Sequence, residues 1–183
     1  SERKLFTDGW FNNGMPDLNQ KNPLVSDYLI QTSTWWIEYA RIDGIRQDTH
    51  PYMDAEFAAR WCKATMEEYP QFNITGETWY PVGSGFPAWW QKNSTFSPIN
   101  SNLTSVMDFN LAFIVPTAFT DTNIPDDGKA QGLFNIYVSI ANDFLYPDPN
   151  SVLIFLDNHD LGRFSTTEDV GLNKYKQGVA FIL

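Results

Sequence analysis

Cysteine is almost absent from this chain, and histidine and basic residues are scarce. The single cysteine, Cys62, excludes an internal disulfide and leaves the redox compartment open. It falls in a helical pattern and is expected in the core. The two histidines, His50 and His159, each lie near an acid, so metal ligation is one reading of them. Neither stands in an HxH or HExxH spacing, and no metal site is expected. Lysine and arginine number 12 against 22 aspartates and glutamates, for a net charge of −10. That balance lacks the basic footprint that phosphate backbones require, so nucleic acid is excluded as a partner. There is no apolar run of about 18 residues, so no transmembrane segment is expected. The stretch "SERKLFTDGWFNNG" does not read as a signal peptide. Localisation stays open on this evidence, with an extracytoplasmic setting favoured over a cytoplasmic one.

Aromatic residues are abundant: 7 Trp, 8 Tyr and 14 Phe in 183 residues that are 43% hydrophobic. Disorder is excluded for most of such a length. An acidic chain rich in rings suits a neutral ligand with flat faces, and sugars are such ligands.

The Gly/Asn/Pro-rich stretch 8–23 reads as a loop, and Pro23 is well placed to open a helix that runs to about Arg41. "DGIRQD" reads as a short strand. Asp54 can cap a second helix, with Phe57, Trp61, Thr65 and Tyr69 on one stripe, until Pro70 stops it. "FNITGET", 72–78, reads as a strand, and a short helix is expected around 87–93. "SVMDFNLAF" reads as a strand with Val106, Asp108 and Asn110 on one face. The stretch containing Asp121, Asp126 and Asp127 reads as a solvated loop, and 131–145 as a helix. "SVLIFLDNHD" opens with an apolar run that suits a strand buried on both faces. A last helix is expected over 173–183. Trp35, Trp36, Trp61 and Trp90 are expected in the core. Three N-x-[ST] sequons, at Asn73, Asn93 and Asn102, are read as chance.

Repeated strand–helix alternation means βαβ units and a parallel sheet. Asp48 and Glu77 are 29 positions apart, close to the roughly 31 residues per unit of an eight-unit barrel of about 250 residues. Asp160 follows 83 positions later, which is two units plus a long loop. Each acid falls at the C-terminal end of a strand, where barrel enzymes place their chemistry. The expected fold class is therefore α/β, part of a (β/α)8 TIM barrel, with about strands 4 to 7 and their helices. Residues 1–183 are expected to be a fragment of that catalytic barrel domain, without its first strands and its last. Such a section, cut from its neighbours, leaves open sheet edges. By itself it is expected to be inactive and to pair with a second copy or aggregate.

In "DGIRQDTH", Arg46 and Asp48 fall on one face of a strand. A surface ion pair contributing at most about 1 kcal/mol is one reading. The other is that the guanidinium keeps Asp48 an anion for chemistry. Retaining glycoside hydrolysis uses an ionised carboxylate as nucleophile and a protonated carboxyl as acid, then base. Asp48 fits the first role. Glu77, between Gly76 and the aromatics of "TWY", fits the second. Asp160 is a third acid, and its neighbour His159 can donate to a sugar hydroxyl.

"DGIRQDTHP", "GETWY" and "FLDNHD" resemble the second, third and fourth signature segments of the α-amylase family of glycoside hydrolases, family 13. "MPDLN" (15–19) and "SVMDFNL" are similar to the corresponding segments of its neopullulanase and cyclomaltodextrinase branch. These segments occur in the family's order and span nearly the whole chain. The resemblance implies Asp48 as nucleophile, Glu77 as general acid/base and Asp160 as transition-state stabiliser. It further implies that Arg46 orients Asp48 and that His159 binds the sugar in the cleaved subsite. Trp79 and His50 complete the expected substrate contacts. The implied substrate is an α-glucan, such as starch, maltooligosaccharides, pullulan or cyclodextrins. The implied reaction is hydrolysis, with transglycosylation or non-catalytic glycan binding as alternatives. No cofactor is required within this stretch. Calcium is common in the family, mostly at sites in parts this chain does not contain. Gln47, Thr49, His50 and the pair Pro51–Tyr52 depart from the family's usual residues, and Gln47 needs a partner for its amide.

Overall fold

The computed structural model describes residues 2–121, 132–166 and 170–183, with side chains from Lys4 onward. The expected loop residues Asp126 and Asp127 lie outside these. Two compact units emerge, one of residues 1–78 and 89–106, the other of residues 79–88 and 107–183.

The first unit begins with helix α1 (Glu2–Asp8), which the sequence reading did not anticipate. Helix α2 (Pro23–Ala40) starts where Pro23 predicts, its first turn capped by Asn22, whose side chain accepts from the Leu24 N–H. Strand β1 (Gly44–Gln47) and helix α3 (Ala55–Glu68) follow. Asp54 caps α3 by accepting from the Phe57 N–H at 3.0 Å, and the helix stops at Tyr69, before Pro70. Strand β2 (Asn73–Gly76) lies parallel to β1, in a register that pairs Arg46 with Thr75 and Gln47 with Gly76. Strand β3 (Ser105–Met107) is parallel to β2 on its other side. Phe57, Trp61, Cys62 and Thr65 of α3 are buried, as are Ile74, Trp90, Leu103 and Val106. Burial pushes the Cys62 thiol pKa up to about 12, as a core thiol requires.

Trp35 and Trp36 depart from expectation, being 52% and 49% exposed. Helix α2 is apolar on more than one side. The side it buries carries Ser26 and Ile37, and Ser33 accepts a hydrogen bond from the Trp61 indole at 2.9 Å.

The second unit contains helix α4 (Gly85–Trp90) up to Ala88, near the expected position. The expected strand through Asn110 is corrected. β3 ends at Met107, and Asp108 caps helix α5 (Phe109–Thr120) by accepting from the Leu111 N–H at 2.8 Å. A capping carboxylate ahead of a long apolar run favours a buried helix over a continued strand. The expected helix over 131–145 is shorter, α6 (Phe134–Ile140), followed by a 3-10 turn at Asp143–Leu145. Strand β4 (Val152–Leu153) is only two residues long, joined by the Asp108 N–H to the Leu153 carbonyl at 3.0 Å. It is not buried on both faces, since Leu153 and Ile154 are exposed. Helix α7 (Gly171–Ile182) ends the chain. Leu111, Val115, Ala118, Ile136, Leu156, Phe164 and Val170 form the core of this unit.

Candidate active site

Where β1 ends, the parallel register brings its C-terminal residues beside those of β2. The Glu77 N–H continues that ladder, donating to the Gln47 carbonyl at 2.9 Å. Arg46 therefore stands opposite Thr75, two residues before Asp48 on its own strand and level with the residue two before Glu77 on the next, so it shares a strand face with Asp48. Its guanidinium serves both acids. Nη1 donates to Asp48 Oδ1 at 2.5 Å, and Nη2 donates to Glu77 Oε1. The second oxygen of Glu77 accepts from the Thr49 N–H at 2.8 Å. Arg46 is thus no isolated surface partner of Asp48 but a bridge between two carboxylates.

The two acids differ in access. The Glu77 side chain is only 5% exposed, whereas that of Asp48 is 55% exposed. A buried carboxyl oriented at both oxygens can deliver or take a proton at a fixed position. An exposed carboxylate steadied by a cation can approach a carbon centre. Gln47, whose amide lacked an evident partner, donates to the Asp48 carbonyl at 3.0 Å.

His50 contradicts its expected role as a sugar contact. It is fully buried, packed edge-on to Trp90 with ring centroids 5.2 Å apart. Neither ring nitrogen has a hydrogen-bond partner among the described residues, and desolvation pushes the imidazole pKa down to about 3. It is a neutral packing residue under the strand ends. The next positions build an aromatic wall instead. Tyr52 stacks on Phe6 at 4.3 Å and meets Phe11 edge-on at 5.0 Å. With Trp10, Met53 and Thr49 these rings line a recess of about 390 Å³ next to Asp48 in sequence. Tyr52 and the rings of the 5–11 stretch were missed as site candidates, and their only signal was the aromatic density of that stretch.

In the second unit, His159 Nε2 lies 3.1 Å from Asp160 Oδ2, and both side chains are accessible. Asn158 turns the backbone there, its Oδ1 accepting from the N–H groups of Asp160 and Leu161 at 2.9 and 3.0 Å. Asp157 and Arg163, paired at 2.5 Å, brace the loop and were not singled out by sequence. Trp79 is 42% exposed and stacks on Phe109 with centroids 4.6 Å apart, which leaves ring surface for a ligand. Asp108 is buried, and desolvation raises its pKa to about 6 despite the N–H it accepts. Asp143, which accepts from Ser84 Oγ at 2.5 Å, is raised in the same direction by burial.

The family model of the α-amylase catalytic domain matches residues 2–181. A cyclomaltodextrin glucanotransferase of Bacillus licheniformis is 28% identical over 169 residues, covering 92% of this chain and 21% of that protein. A cyclomaltodextrinase of a Bacillus species is 28% identical over 170 residues, covering 91% of this chain and 27% of its own length. An Anoxybacillus α-amylase of known structure superposes with a TM-score of 0.72 at 26% identity, over 92% of this chain and 35% of that one. The chain therefore spans about a quarter of the length of these curated relatives. Its parallel strands and alternating helices are part of a (β/α)8 barrel, and the chain belongs to the α-amylase catalytic-domain family.

Proposed function

We propose that the protein is a retaining glycosidase acting on α-glucans, with Asp48 as nucleophile and Glu77 as acid/base. The observation that carries the reading is the single guanidinium of Arg46 shared by an exposed and a buried carboxylate at adjacent strand ends. In the first step a carboxylate oxygen of Asp48 bonds to the anomeric carbon, and the bond to the leaving oxygen breaks as Glu77 gives that oxygen its proton. In the second, Glu77 takes a proton from water, the water oxygen bonds to the anomeric carbon, and Asp48 is released. Two inversions leave the anomeric configuration unchanged. Asp160 offers negative charge to the oxocarbenium-like transition state, His159 a donor to a sugar hydroxyl, and Trp79 a stacking face. The recess walled by Tyr52 accommodates sugar units on the leaving-group side.

Transfer to a sugar hydroxyl in place of water is the second reading, favoured by similarity to a cyclomaltodextrin glucanotransferase. Among the described residues no three acidic, histidine or cysteine side chains gather as metal ligands.

In the complete protein that carries this chain, Asp48→Asn and Glu77→Gln should each slow cleavage of α-1,4 maltooligosaccharides by at least about 10²–10⁴-fold. An Asp48→Asn variant as fast as its parent would overturn the assignment. Products from maltotriose separate hydrolysis, which yields only shorter sugars, from transfer, which also yields longer ones.

A further inference from the structure

Among the described residues, four other than glycine adopt positive φ: Arg41, Thr49, Asn93 and Asn102. Arg41 ends a helix, and asparagine tolerates this region. Thr49 is different, because a β-branched side chain crowds its own backbone at φ 48° and ψ 35°. Such strain persists only where the surroundings impose it, and it gathers at functional sites. Here the surroundings are visible. The Tyr52 N–H donates to the Thr49 carbonyl at 2.9 Å, and the Met53 N–H to the His50 carbonyl at 3.3 Å, closing a 3-10 turn at His50–Tyr52. The buried His50 ring anchors that turn against Trp90 and against Gly76, where a Cβ would stand 3.0 Å from His50 Cγ.

The product of this strain is the direction of one amide. The left-handed turn brings the Thr49 N–H to 2.8 Å from Glu77 Oε2. Arg46 already holds Oε1, so the amide is the second fixed point of the carboxyl group. One point would leave the carboxyl free to rotate about its Cγ–Cδ bond. Two points fix its plane, and with it the directions of the lone pairs left to carry a proton.

We propose that Thr49 is a positioning residue, whose strained backbone aims its amide at Glu77 Oε2 and so fixes the line of proton transfer. This rests on the reading of Glu77 as acid/base, but it can fail separately.

The test uses the complete protein with 15N-threonine labelling. The Thr49 amide proton should move downfield as Glu77 ionises, with the same midpoint as the Glu77-dependent limb of the pH–rate profile. In Glu77→Gln that titration should vanish. A Thr49 amide that does not follow the Glu77 titration overturns the proposal. Replacing the Thr49 amide by an ester removes the donor, and also weakens the Asp48 carbonyl as acceptor for Gln47, a change common to both substrates below. It should lower kcat/KM for maltotriose about tenfold or more, and lower it far less for α-maltosyl fluoride, whose leaving group needs little protonation. Equal losses on both substrates, or none, also overturn it. A fully active Glu77→Gln variant would instead remove the acid/base reading, whatever the Thr49 amide does.

Discussion

Asp108 shows how a buried acid couples stability to pH. The folded chain keeps its proton to about pH 6, whereas an ordinary aspartate releases it near 3.8, and burial is the main cause. The stabilisation from that proton is complete below the unfolded value and is lost as pH rises through about 6. The loss approaches about 3 kcal/mol. Asp108→Asn keeps a cap for α5 and cannot ionise, so it should unfold at a higher temperature than the parent at about pH 8 and near parity at about pH 3. A difference independent of pH would contradict this, and thermal melts at the two pH values decide it. Gly76 is a second sensitive residue. An added Cβ would stand 2.7 Å from Leu103 Cδ2 and 3.0 Å from His50 Cγ. Gly76→Ala should therefore destabilise by about 1–3 kcal/mol in chemical denaturation and depress activity through the adjacent Glu77. At this scale the sequence made Asp48, Glu77 and Arg46 legible, because strand alternation alone aligns Arg46 with Asp48. It could not show that Arg46 reaches Glu77, since that depends on the register between strands. Nor could it show that His50 turns inward, which follows from the unusual backbone at Thr49.

Among the elements, helix starts were the most readable features, because a cap is a local signal. Asn22 and Asp54 cap α2 and α3, and Asp54→Ala should cost about 1 kcal/mol in denaturant-induced unfolding without altering the folded-state spectrum. An unchanged stability would mean that α3 is held by packing alone. The strand-to-helix switch at Asp108 was read incorrectly, because period-2 alternation continues through "VMDFN" while the cap acts over only three residues. β4 was overread for a related reason. An apolar run reports burial, yet only two of its residues join the ladder, and Leu153 and Ile154 remain open. The face that α2 buries was equally unreadable in a helix with rings on several sides.

At the scale of the whole molecule, large apolar side chains remain exposed across α2, where Trp35 stacks on Tyr39 with centroids 4.7 Å apart. β1 has a hydrogen-bonded neighbour on one side only among the described residues. Both features favour self-association of the 183-residue chain when it is expressed by itself. Light scattering should find dimers or larger species, with no measurable starch hydrolysis. A monodisperse, active monomer would contradict that expectation. The barrel class was legible because acids at strand ends recur at unit spacing, a pattern that does not depend on any one strand being read correctly. The direct test of the central claim is to trap the covalent glycosyl-enzyme. The complete protein, treated with a 5-fluoro-α-glycosyl fluoride and digested, should yield one peptide heavier by the sugar, with the label on Asp48. A label on another residue, or turnover of α-glucans with no covalent adduct and with inverted products, would contradict the account.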